Sequence, residues 1–174
     1  GGLRNDGGSP TLSNCAFLDN VKASDAGGGM HSILGTPVLS RCRFEANRAE
    51  NGGGLYLSNS QAVVSGTVFI NNTASDSGGG VFLSDDSTFT DCRFQGNHAV
   101  RGAGISIHGG TPRITHCLFK ENVVDGGSWG GGGIFAMYEA TPEVSNCIFT
   151  GNNGLIGGGG VAATVNSNVR IGAC

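Results

Sequence analysis

Three classes of residue in this 174-residue chain have the type and number to support chemistry. Six cysteines, Cys15, Cys42, Cys92, Cys117, Cys147 and Cys174, invite a disulfide framework or a metal centre. No two of them have the C-x-x-C spacing that chelates zinc. The acids Asp25, Glu50, Asp76 and Asp125 each precede a glycine cluster. Stacked along one edge they would hold calcium, because like charges a few ångströms apart favour a bridging cation. Arg101 interrupts that series, which leaves Asp25, Glu50 and Asp76 as the calcium candidates and solvated loop acids as the alternative. The histidines His31, His98, His108 and His116 occupy different positions of the chain's periodicity and do not converge. G-x-S-x-G and H-E-x-x-H are absent, and the glycine clusters lack the lysine and spacing of a phosphate loop. No catalytic residue is therefore assigned, and neither a cofactor nor a resident metal is expected.

Composition narrows the classes further. With 33 glycines and 13% charged residues, long helices are disfavoured, since each interior glycine costs about 0.5–1 kcal/mol relative to alanine. The formal net charge of −3 comes with no basic stripe, which argues against a nucleic-acid partner. Hydrophobic residues make up 38% of the chain but form no run long enough to span a membrane.

The elements that position these residues follow from a repeat. Phe17, Phe44, Phe69, Phe94, Phe119 and Phe149 each stand three residues before Asn20, Asn47, Asn72, Asn97, Asn122 and Asn152, giving F-x-x-N six times. The residue two before each ring is Cys15, Cys42, Thr67, Cys92, Cys117 or Cys147, at intervals of 27, 25, 25, 25 and 30, with Cys174 a further 27 on. A glycine cluster and an aliphatic residue recur with the same period: Gly29-Met30, Gly54-Leu55, Gly80-Val81, Gly104-Ile105, Gly133-Ile134 and Gly160-Val161. Such a period marks stacked supersecondary units.

Cys and Phe, two apart, share one strand face, and a solenoid must turn that face inward. All six cysteines occupy the same slot and read as a buried column of small packing side chains. Inter-coil disulfides are the alternative, disfavoured because in-register side chains point the same way. The asparagines are expected in tight turns of left-handed conformation, hydrogen-bonded amide to amide as a ladder through Asn20, Asn47, Asn72, Asn97, Asn122 and Asn152. The spacing Leu12-x-x-Cys15-x-Phe17-x-x-Asn20 also fits a leucine-rich repeat, but that fold's convex side does not accommodate Gly-Gly-Gly followed by Leu55-Tyr56-Leu57. The fold expected is all-β: a right-handed parallel β-helix solenoid of about six to seven coils of 25–30 residues, with an Asn ladder and Cys/Phe core columns. Residues 1–174 form one β-helix domain, which begins inside a glycine turn and stops at an anchor slot, as a segment of a longer solenoid would.

The pairing of G-G-A/G-[ILV] with F-x-x-N resembles the passenger domains of the polymorphic outer-membrane protein family, and more loosely the pectin-lyase-like superfamily. That resemblance implies an extracellular or cell-surface β-helix used in adhesion and exported by an autotransporter route. The residue after each buried aliphatic should point outward: Arg4, His31, Tyr56, Phe82, Ser106, Phe135 and Ala162. His31, Tyr56, Phe82 and Phe135, flanked by Trp129 and Tyr138, thus form an expected exposed stripe for binding, or a surface that loops or flanking parts of a parent chain cover. The leading functional expectation is a structural or adhesive module presenting a flat face to a protein, a glycan or a sister subunit. The alternatives are a polysaccharide lyase or glycoside hydrolase and a subunit of an extracellular fibre. A glycosidase needs paired carboxylates, and only Arg4 and Asp6 lie near the outward row.

Overall fold

The computed structural model describes residues 1–23, 25–126 and 130–174. Its elements are short strands alone, and every pairing between named strands joins one coil to the next in parallel register. The first sheet has seven strands: Leu3–Asp6, Met30–Ile33, Leu55–Ser58, Val81–Ser84, Ile105–His108, Ile134–Met137 and Val161–Ala163. The second has seven: Thr11–Ser13, Val38–Ser40, Val63–Ser65, Thr88–Thr90, Arg113–Thr115, Glu143–Ser145 and Arg170–Gly172. The third has six: Ala16–Leu18, Arg43–Glu45, Val68–Ile70, Arg93–Gln95, Leu118–Lys120 and Ile148–Thr150. The fourth, of Arg48–Asn51, Thr73–Ser77, His98–Ala99 and Val123–Val124, follows the asparagines and has no counterpart in the repeat as read from sequence. The chain is a parallel β-solenoid, as the F-x-x-N period requires.

Single residues of left-handed conformation make the corners. Between the second and third sheets the bend falls on Asn14, Arg41, Gly66, Asp91, His116, Asn146 and Ala173, with φ from +50° to +55°. Between the third and fourth it falls on Asp19, Ala46, Asn71, Gly96, Glu121 and Gly151, with φ from +52° to +64°. The expectation that the ladder asparagines take this conformation is corrected: the residue before each one does. A non-glycine residue there costs about 1–2 kcal/mol. It is held by backbone bonds to the next coil, such as Arg41 N–H to Ser65 O at 2.9 Å and Ala46 N–H to Ile70 O at 3.1 Å.

Inside, the columns run as the repeat dictates. Phe44, Phe69, Phe94 and Phe119 are fully buried, and successive rings from Phe17 to Phe149 stack with centroids 4.7–5.0 Å apart and planes within 12°. Cys42, Cys92, Cys117 and Cys147 line the same core, with Thr67 in the vacant slot, where its hydroxyl accepts the Cys42 N–H at 3.2 Å. Cys15 is half-buried and Cys174 exposed, and all six thiols are free. The ladder is continuous: Nδ2 of Asn20, Asn47, Asn72, Asn97 and Asn122 donates to Oδ1 of the next asparagine at 2.8–3.0 Å.

The glycine clusters are explained by backbone crowding. A Cβ on Gly53 would lie 2.5 Å from Thr73 O and 2.6 Å from Gly79 O, and one on Gly54 would lie 2.6 Å from Gly80 O. Neighbouring coils therefore approach main chain to main chain at these positions, which favours glycine, although Ala103 fills the slot of Gly53 in its own coil.

Candidate functional site

The outer face of the first sheet carries the predicted stripe. Register pairs Arg4, His31, Tyr56, Phe82, Ser106, Phe135 and Ala162 in one row, so the side chains do align. His31 stacks on Tyr56 at 5.0 Å and Tyr56 on Phe82 at 4.8 Å, with planes within 7°. At Ser106 the row has no ring. His108, two residues on, leans across with its centroid 4.5 Å from Phe82 and Nε2 3.1 Å from the Ser106 hydroxyl, and Tyr138 meets its edge at 5.4 Å. Sequence reasoning set His108 apart from this row because its slot differs; the bare Ser106 position was the available signal.

The stripe is not exposed. His31, Phe82 and Phe135 are 7%, 8% and 1% exposed, Tyr56 is half-buried, and among the described members only Tyr138 projects into solvent. Trp129 lies outside the described residues. Strand alternation sends these side chains away from the central core, but it says nothing about what borders them. The charges acting on His31 include Lys22, Asp25 and Arg4, and those acting on His108 are Arg101 and Asp76. The segments leading into the glycine turns thus flank the row. Burial holds the His31 imidazole below the ordinary histidine range and pushes that of His108 down to about 4. Among the described residues His31 Nδ1 has no hydrogen-bond partner.

The calcium candidates do not assemble. Asp25 pairs with Lys22 at 2.7 Å, and that bond together with the Ala26 N–H holds its carboxyl below the usual range. Asp76 pairs with Arg101, the residue that interrupts the acidic series, and Asp125 with His98 at 3.0 Å. Glu50 is exposed, its backbone N–H bonded to Asp25 O at 2.9 Å. Among the described residues no three His, Cys, Asp or Glu gather to hold a metal ion. Arg4 and Asp6 pair with each other at 2.8 Å on the surface.

Solvent instead reaches the second and third sheets. Thr11, Val38, Val63, Thr88, Arg113, Glu143 and Arg170 form one in-register row, all exposed or half-buried. Beside it the hydroxyls of Ser13, Ser40, Ser65, Thr90, Thr115 and Ser145 form a second row, bonded at 3.1 Å between Ser40 and Ser13 and 3.3 Å between Thr90 and Thr115. The third sheet adds Arg43, Val68, Arg93, Leu118 and Ile148.

Stacked parallel coils, a closed aromatic core and flat polar-apolar walls define a β-solenoid scaffold. Residues 2–116 match the family model described as "right handed beta helix region", and the chain belongs to that family. A curated relative, metabotropic glutamate receptor-like protein R of Dictyostelium discoideum, is 32% identical over 151 residues. The match covers 82% of this chain and 9% of the relative, so the chain spans under a tenth of that protein's length.

Proposed function

We propose that this chain is an extracellular or cell-surface recognition module, which holds a protein or glycan partner against the flat walls of its second and third sheets. The observation that carries this reading is the in-register row from Thr11 to Arg170, exposed or half-buried at every member, which runs across seven coils. A parallel ladder fixes the row spacing at roughly 4.8 Å, so the wall is preorganised and loses little entropy on binding. The receptor-like name of the relative supports a surface setting for the module. The test is immobilised chain against panels of matrix proteins and of neutral and acidic glycans. Saturable binding that Val38→Glu plus Val63→Glu removes without loss of fold supports the module. No saturable binding, or release of new reducing ends from a glycan, overturns it.

A further inference from the structure

The turns joining the first sheet to the second differ in length, and the shortest makes a recess. Residues 34–37, 59–62 and 109–112 connect the strands in their coils, whereas Asp85, Asp86 and Ser87 alone connect Ser84 to Thr88. This turn sinks between its neighbours: Asp85 is 7% exposed and Ser87 fully buried. Over it opens a cleft of about 510 Å³, lined by Asn59, Gln61 and Thr36 from preceding coils, by Asp85 and Asp86, and by Gly110 from the next. Gly110 sits so close above Asp85, at φ +79°, that a Cβ there would lie 2.4 Å from Asp85 O.

The two carboxylates are held by neutral donors only. Asp85 accepts the backbone N–H groups of Ser60 at 3.1 Å and Ser87 at 2.9 Å. Asp86 accepts the N–H and the hydroxyl of Thr111 at 2.7 and 3.0 Å. Among the described residues no base lines the cleft, whereas Asp25, Asp76 and Glu143 elsewhere on the surface are paired with Lys22, Arg101 and Arg113. Asp85 is thus a carboxylate more than nine-tenths buried without a counter-charge, a costly state that an incoming cation relieves. Burial pushes its carboxyl above the usual range, and the charge of Asp86 adds to the effect. A metal ion is the poorer fit, because among the described residues no third acid, His or Cys stands in the lining. An ammonium or guanidinium brings its own N–H donors to the remaining lone pairs, and Asn59 and Gln61 in the lining carry side-chain carbonyls that can accept others.

We propose that this cleft binds an ammonium or guanidinium group, charge-paired with Asp86 and Asp85 and hydrogen-bonded by Asn59 and Gln61. The assignment rests on the recognition-module reading and names its partner chemistry: a Lys or Arg side chain, or a free polyamine. The experiment is a backbone-amide NMR titration of the 174-residue chain at constant ionic strength. The probes are N-acetyl-lysine methylamide, N-acetyl-arginine methylamide, spermidine, the uncharged N-acetyl-glutamine methylamide, and calcium chloride. Saturable shifts confined to amides around Thr36, Asn59, Asp86 and Gly110 are expected with a cationic probe and not with the glutamine analogue. The amino-acid probes report a side-chain ligand and spermidine alone a polyamine. Asp86→Asn, on an exposed side chain, should weaken binding at least about tenfold with an unchanged urea midpoint. Equal response to the glutamine analogue, an unchanged affinity in Asp86→Asn, or tighter binding of calcium at the same amides overturns the assignment. The wall variants Val38→Glu and Val63→Glu lie outside the lining, so failure here leaves the module reading to its own test.

Discussion

Asn72 donates both its backbone N–H and its side-chain amide to one oxygen, Oδ1 of Asn97, each at 3.0 Å. Asn97 repeats the arrangement on Asn122 at 3.1 and 2.9 Å, and its Nδ2 also donates to Phe69 O at 2.9 Å. Every polar atom of this fully buried amide is therefore satisfied, and three coils share it.

Removing the amide in Asn97→Ala strips partners from Asn72, Asn122 and Phe69 at once. Buried groups left unpaired cost about 1–3 kcal/mol each, so a loss of at least about 2 kcal/mol is expected in urea denaturation. Gln95→Ala, on the half-buried outer row, should fall within about 0.5 kcal/mol of the parent. Equal effects at the two positions would remove the ladder from the account of stability.

The ring column makes a separate claim. Phe94 stacks between Phe69 at 4.9 Å and Phe119 at 4.7 Å and touches Phe89 at 6.1 Å, with no solvent access. Phe94→Ala should cost about 3–5 kcal/mol, the usual range for a core aromatic truncated in a site that cannot collapse. A loss below about 1 kcal/mol would show that the coils close around the missing ring.

What was legible in the sequence was whatever the two-residue strand period and the coil period encode. Cys42 and Phe44 share a face and recur, so the core columns and the ladder follow directly. The exposure of His31, Phe82 and Phe135 was not legible, because alternation sorts side chains by direction while their burial depends on the segments leading to the glycine turns. The fourth sheet was hidden because Ala49, Ala74, Ser77, Ala99 and Val124 supply its buried positions, and alanine and serine carry little strand signal. The left-handed corner before each asparagine had a partial signal in Asn71, Gly96 and Gly151, masked by Ala46 and Glu121. The recess at Asp85 was present as a spacing: Val81 precedes its anchor Cys92 by one residue fewer than Leu55 precedes Thr67.

The thiol column should be chemically silent along most of its length. Cys42, Cys92, Cys117 and Cys147 are each 2% exposed, and burial pushes the Cys42 thiol up, away from the reactive thiolate. Native alkylation with iodoacetamide followed by mass spectrometry should label Cys174 first and Cys15 more slowly, and all six only after unfolding. Rapid native labelling of Cys92 would contradict a packed column.

Acid should weaken the row on the first sheet. His108 titrates near 6.5 when unfolded and at about 4 in the solenoid, because burial and the Arg101 charge disfavour its cation more than Asp76 favours it. Between those values the unfolded chain binds more protons, so stability rises with pH in that window. The contribution is complete above about pH 6.5 and is lost as pH falls through about 4. His31, lowered by burial, adds to the same trend, while the raised carboxyl of Asp85 opposes it by favouring the folded state as protons bind. The measurement must therefore be a difference: urea midpoints of the parent and of His108→Gln, compared at pH 7.5, 6, 5 and 4.5. The variant keeps a hydrogen-bonding side chain beside Ser106 but cannot titrate, so the gap between the two proteins should shift in the variant's favour as pH falls. A gap constant with pH would mean that His108 meets solvent freely and that the Phe82 and Tyr138 rings do not enclose it.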